Sequence, residues 1–176
     1  MKTKIPTVDG SMPVDCACVI HGDGYDWTYV QRLYNMLNRH LTQGAQLHVY
    51  TEPERIVPDY MIKHELKDLG VSGPKKAWWY KLQLFNSEHH AGPLLYFDLD
   101  TVIVDNIDWI WQNYDPMNFN SIRDFKYLQK PLHSKINSSI MYWDTRYYSS
   151  VWHNFKLRDL SQIIRHYRGD QDYISE

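Results

Sequence analysis

The sequence predicts a single α/β domain built on a mainly parallel central sheet. Apolar runs of strand length alternate with segments of helical spacing along the chain. The two most suggestive polar turns, "HGDG" and "DLD", each follow directly on such an apolar run. No internal repeat, low-complexity tract or linker divides the 176 residues. A domain of that length buries roughly 70 % of the surface its unfolded chain exposes. In sheets of this class ligands sit at the carboxyl ends of the strands, so the two turns are expected to share one crevice.

Each element has its own justification. "VDCACVI" (14–20) reads as a buried strand and "HGDGYD" as the turn behind it. "WTYVQRLYNMLNRHL" has helical spacing, with Val30, Leu33, Leu37 and Leu41 on one face and Asp26 as N-cap. "AQLHVYTE" (45–52) is the second strand and "IKHELKD" (62–68) a shorter third. "SGPKKAWWYKLQLFNSE" (72–88) is expected to form the next helix, with Pro74 near its first turn and Trp78, Leu82 and Phe85 on one stripe. "GPLLYF" (92–97) is a strand, and "TVIV" (101–104) continues it beyond the aspartates. "NIDWIWQNY" (106–114) suits one or two helical turns, "NFNSIRDF" (118–125) a strand and "KYLQKPLHSK" (126–135) a loop. "INSSIMYWDT" (136–145) is a further strand, a helix begins near Thr145, and "GDQDYISE" (169–176) opens another.

Composition narrows the function classes. With 43 % hydrophobic and 23 % charged residues the chain is an ordinary globular one. A net charge of −2 and a pI of 6.5 give no general attraction to nucleic acid or anionic lipid. Aromatic content is 15 %, including 14 Tyr and 7 Trp, which serves core packing and also offers ring faces on which sugars stack. Cys16 and Cys18 are the two cysteines, both inside one apolar run, and are expected to be reduced and buried. "MKTKIPTVDGSMP" lacks an apolar signal region and no stretch approaches transmembrane length, so a cytoplasmic protein is expected. "NSS" (137–139) fits a glycosylation sequon but carries no weight without a secretion signal.

The segment "LLYFDLDTVIVDN" (94–106) drives two carboxylates to the end of a buried strand. Placing two like charges together out of water costs free energy unless something positive is supplied. In an extended segment residues i and i+2 point the same way, so Asp98 and Asp100 can present their oxygens to one point. Hard oxygen ligands of this kind favour Mn²⁺ or Mg²⁺ and leave positions open for substrate phosphates. The competing reading makes Asp98 a strand-end hydrogen-bond acceptor and Asp100 a solvated turn residue.

Four stretches, in order, resemble the GT-A-type glycosyltransferases, most closely glycosyltransferase family 8 and its relatives. "CVIHGDGYDWTYVQRLYNML" looks like the first strand, nucleotide loop and first helix, and "AWWYKLQLF" like the helix before the metal motif. "LLYFDLDTVIVDNIDWIW" looks like the D-x-D strand, and "INSSIMYWDT" with "GDQDYIS" like the acceptor-side strand and D-Q-D segment. The resemblance implies a single glycosyltransferase-like, Rossmann-like domain over residues 1–176. It also implies transfer of a sugar from a nucleotide-diphosphate donor, UDP- or GDP-linked, to an acceptor hydroxyl, with retention of anomeric configuration. By that similarity His21, Gly22, Asp23 and Tyr25 hold the nucleoside, with Tyr25 able to stack on the base. Lys81, Asp98, Asn137 and Ser138 face the donor sugar and diphosphate, Asp98 and Asp100 hold the metal, and Asp170 and Gln171 stand near the anomeric carbon. Plainer readings stay open: a simple strand-to-helix turn for "HGDG", a solvated helix lysine for Lys81, backbone-satisfied strand polar groups for Asn137 and Ser138, and helix N-capping by Asp170.

Two departures from the family pattern matter. Lys81 stands where an arginine is usual, supplying the charge without the bidentate fork. The family also continues beyond D-Q-D to a histidine that completes the metal site, whereas this chain ends at Glu176, as if truncated. That ligand is therefore missing or comes from another of the nine histidines. Two rivals compete. "FDLDTV" (97–102) also fits a haloacid-dehalogenase-type phosphatase, with Asp98 as nucleophile and Asp100 as general acid, although that nucleophile normally lies on the first strand. The other rival is a nucleotide-sugar-binding protein without turnover.

Overall fold

The computed structural model describes residues 12–71, 76–126, 129 and 135–176. Its sheet has six strands in the order β3-β2-β1-β4-β6-β5, where β1 is Val14–Val19, β2 Ala45–Thr51, β3 Ile62–Glu65, β4 Pro93–Phe97, β5 Asn120–Arg123 and β6 Ile136–Asp144. The pairs β1–β2, β1–β4 and β2–β3 are parallel, whereas β6 runs antiparallel to both β4 and β5. The sheet is thus mainly parallel, as the alternation of elements predicts. Because β6 is reversed, its first residues lie beside the carboxyl end of β4. The amide of Asp98 donates to the Ser139 carbonyl at 2.8 Å there.

Strand alternation divides the core into two layers. Cys16, Cys18, Leu95 and Phe97 face α1 (Trp27–His40) and α3 (Asp108–Asn113), where Val30, Leu33, Leu37 and Ile110 cover them. Ala17, Leu94 and Tyr96 face the other way, against Trp79, Leu82, Phe85, Trp152 and Tyr173. Those residues come from α2 (Lys76–Tyr80), a 3-10 turn (Lys81–Phe85), α4 (Thr145–Leu157) and α6 (Asp170–Ile174), with α5 (Leu160–His166) between the last two. Strands buried on both faces read as the continuous apolar runs seen in the sequence. Asp26 caps α1 as expected, its carboxylate accepting from the Thr28 amide at 2.8 Å.

Two expected elements differ. The segment 72–88 is not one helix across its described residues, because α2 ends at Tyr80 and tightens into the 3-10 turn. The tighter winding buries all of Lys81–Phe85 and leaves Trp78 46 % exposed, so Trp78 does not share the stripe of Leu82 and Phe85. Gln83 is tolerated inside because its side-chain amide pairs with both backbone groups of Lys67, at 2.8 and 2.7 Å. Pro74 lies outside the described residues. The other difference is "TVIV", which leaves the sheet after Asp98 with Val102 and Val104 73 % and 82 % exposed. Of the expected loop at 126–135, residues 127–128 and 130–134 lie outside the described residues.

Candidate active site

The carboxyl ends of β1 and β4 adjoin, since Ala17 pairs with Tyr96 in parallel register. The turns that follow them therefore meet. Tyr25 from the "HGDG" side donates its hydroxyl to Asp100 Oδ2 at 3.2 Å. Burial first, then the Asp100 carboxylate, push the Tyr25 phenol up and keep it protonated. The loop itself is braced from β2. Gly22, in the left-handed region at φ 69°, donates its amide to Glu52, and its carbonyl accepts from Arg55 at 3.0 Å. Burial pushes the Glu52 carboxyl up, but hydrogen bonds from Arg55 and the Gly22 amide outweigh it and hold it at about 2. His21 lies flat on the Tyr80 ring with centroids 3.7 Å apart, while Asp23 is exposed.

Behind Asp98 lies a buried polar hub. Lys81, 7 % exposed, sets its ammonium 2.9 Å from Asp98 Oδ1 and 3.1 Å from Asp170 Oδ2. It also donates to Ser138 Oγ at 3.1 Å, and Ser138 in turn donates to Asp170 at 2.7 Å. Tyr96 donates to Asp98 Oδ1 at 2.6 Å, and its ring centroid lies 5.2 Å from the ammonium. Burial lowers the Lys81 pKa, but Asp170 and Asp98 together raise it above the ordinary lysine range, so the charge persists. Lys81 is not a solvated helix lysine. Nor does Asp170 cap α6, whose N-cap is Gly169, leaving its carboxylate turned to Lys81.

Ser138 reaches this hub through an irregularity in β6. The register against β5 jumps from Ser121↔Met141 to Ile122↔Asn137, with residues 138–140 inside the jump. Strict alternation would put Ser138 with Ile140 and Tyr142, on the α1 side. Asn137 is used locally, accepting from the Ser139 amide at 2.9 Å.

Beside the hub opens a cavity of about 360 Å³ lined by Trp78, Asp124, Asn137, Arg168 and Gln171 among others. Gln171 donates its side-chain amide to Asp124 at 2.9 Å. Gly169 lies so close to Trp78 that a Cβ there would come within 2.9 Å of the ring. Tyr96, Asp124, Trp78 and the Glu52–Arg55 pair escape a motif-based reading. Only the i−2 spacing of Tyr96 from Asp98 offered a signal.

The donor set of Asp98 and Asp100 suits a hard divalent cation. Asp98 Oδ1 and Asp100 Oδ2 are engaged by protein donors, while the opposite oxygens have no hydrogen-bond partner among the described residues. The described residues place no histidine or third carboxylate with them as a cluster of possible ligands.

No protein-family model matches the sequence, and neither does any curated protein. The fold, by contrast, is shared with solved glycosyltransferases. The galactosyltransferase LgtC in complex with donor and acceptor sugar analogs superposes with a TM-score of 0.58 at 15 % identity, over 92 % of this chain and 69 % of LgtC. An active-site mutant of LgtC gives the same TM-score at 14 % identity and the same coverage. The apo-form glycosyltransferase GlyE of Streptococcus pneumoniae TIGR4 matches at TM-score 0.58 and 12 % identity, over 93 % of this chain and 42 % of GlyE. The architecture is therefore that of GT-A-type glycosyltransferases, and this fold does not favour the phosphatase alternative. No helix among the described residues is long and apolar enough to cross a membrane.

Proposed function

We propose that the chain is a glycosyltransferase that takes a sugar from a nucleotide-diphosphate donor to an acceptor hydroxyl, related to family 8 and retaining anomeric configuration. The observation that carries the reading is the Lys81 hub, a buried cation joining Asp98 to Asp170 at the carboxyl end of the sheet. In this reading the "HGDG" loop, braced by Glu52 and Arg55, receives the nucleoside, and Tyr25 supplies a ring face to the base. The diphosphate lies against Asp98 and Asp100, the residues that would hold Mn²⁺ or Mg²⁺. A cation bound there supplies Lewis-acid stabilisation to the departing diphosphate. Lys81 holds Asp98 and Asp170 in place without a change of protonation and contributes positive potential where negative charge develops. The donor sugar occupies the cavity beside Asn137, and Trp78 offers its exposed ring to a sugar. With its amide nitrogen tied to Asp124, Gln171 keeps its carbonyl oxygen for the sugar, and Asp170 stands next to it.

The test is hydrolysis of UDP- and GDP-sugars without acceptor. Slow, Mn²⁺-dependent release of the nucleotide diphosphate is expected, and its loss in Asp100→Ala. Faster phosphate release from simple monoesters, or a beryllofluoride adduct on Asp98, would instead identify a phosphatase. Donor binding with no hydrolysis identifies a binding protein.

A further inference from the structure

We propose that the protein carries a second metal site, chemically unlike the aspartate pair, formed by Asp15, His48 and His90 and suited to Zn²⁺. These side chains come from β1, β2 and the segment leading into β4, under the sheet on the Tyr50 side. The reading does not depend on the transferase assignment.

The geometry is already close to a coordination shell. Zinc bonds of about 2.0–2.2 Å in a tetrahedron put ligand atoms about 3.3 Å apart. Asp15 Oδ1 lies 3.2 Å from His48 Nε2, and Asp15 Oδ2 lies 3.8 Å from His90 Nε2. One ligand atom from each of the three residues falls within 4.8 Å of the others. All three side chains are largely buried, at 9 %, 5 % and 11 % exposure.

The residues around the cluster orient its imidazoles for a metal. His48 Nδ1 lies 2.8 Å from His64 Nε2, so it can donate its proton there and turn a bare Nε2 toward Asp15. This is how a ligating imidazole is ordinarily fixed in tautomer and orientation. His64 in turn is held flat against the Tyr50 ring, centroids 4.5 Å apart. His90 Nε2 lies 3.2 Å from the Pro93 carbonyl, so binding removes that nitrogen's proton and takes it from the carbonyl. Two imidazoles and one carboxylate select Zn²⁺ over Mg²⁺ and Mn²⁺ and leave a fourth position for water. The ion staples β1, β2 and the start of β4 together, at the opposite end of β1 from the "HGDG" turn.

Co²⁺, added to chelator-treated protein, reports the site directly. One equivalent should give the intense visible absorption of a four-coordinate ion, and Zn²⁺ should displace it. The band should persist in the Asp98→Ala, Asp100→Ala double variant, and His90→Ala should weaken Zn²⁺ binding more than about 100-fold. The wild-type imidazole ¹⁵N spectrum makes the result independent of how variants fold. His48 and His90 resonances should shift with Zn²⁺ while His153 and His166 stay. No four-coordinate band, a band lost with the aspartate pair, or unshifted His48 and His90 signals would overturn the proposal.

Discussion

Lys81 decides the character of the candidate site. A lysine in a fully buried 3-10 turn is costly, and two carboxylates with a serine offset that cost. Removing the cation strands Asp98 and Asp170, so Lys81→Met should destabilise the fold by about 3–5 kcal/mol, read from urea unfolding. An unfolding midpoint equal to wild type would mean that the hub contributes nothing to the fold. The raised Lys81 pKa gives the pH sign: the stabilisation is complete below the ordinary lysine value and is lost only as pH rises through the higher folded value. Lowering the pH to neutrality therefore cannot discharge the hub through Lys81. A solvated lysine and a buried one look alike in "YKLQLF". Only the tightening after Tyr80 separates them.

At the scale of elements, the "HGDG" loop and the 3-10 turn Lys81–Phe85 each carry a prediction. The Glu52 carboxyl, held at about 2, stabilises the folded chain fully above its unfolded value near 4.5. That contribution is lost as pH falls from there toward 2, so Glu52→Gln should flatten the wild-type loss of stability over that window. Identical pH profiles in urea titrations of the two proteins would contradict the brace. Phe85, fully buried and stacked on Trp143 with centroids 4.7 Å apart, should cost about 3–5 kcal/mol when changed to Ala. Trp78→Ala should cost less in thermal unfolding, though Gly169 packs on its ring. Strands β1, β2 and β4 and helix α1 were legible because their periodicity and caps are local properties. The end of α2, the exposure of Val102 and Val104 and the β6 irregularity were not, since contacts between distant segments set them.

For the whole molecule, topology does most of the positioning. Parallel β1 and β4 bring two distant turns together, and the reversed β6 delivers Ser138 to the same edge. That the two turns meet was legible in the sequence, because both follow apolar strands of one mainly parallel sheet. It could show neither that Lys81 would link Asp98 to Asp170 nor that Asp15, His48 and His90 would converge, since each group is scattered along the chain. In the proposed function Asp98 and Asp100 take up a nucleotide diphosphate jointly with a divalent cation. Calorimetric titration of UDP and GDP with and without Mn²⁺, on wild type and on the Asp98→Ala, Asp100→Ala double variant, tests it most directly. Wild type should bind with an affinity that tightens at least about tenfold with Mn²⁺, a difference of about 1.4 kcal/mol, and the double variant should show no such tightening. Equal Mn²⁺-dependent affinity in the two proteins would contradict it.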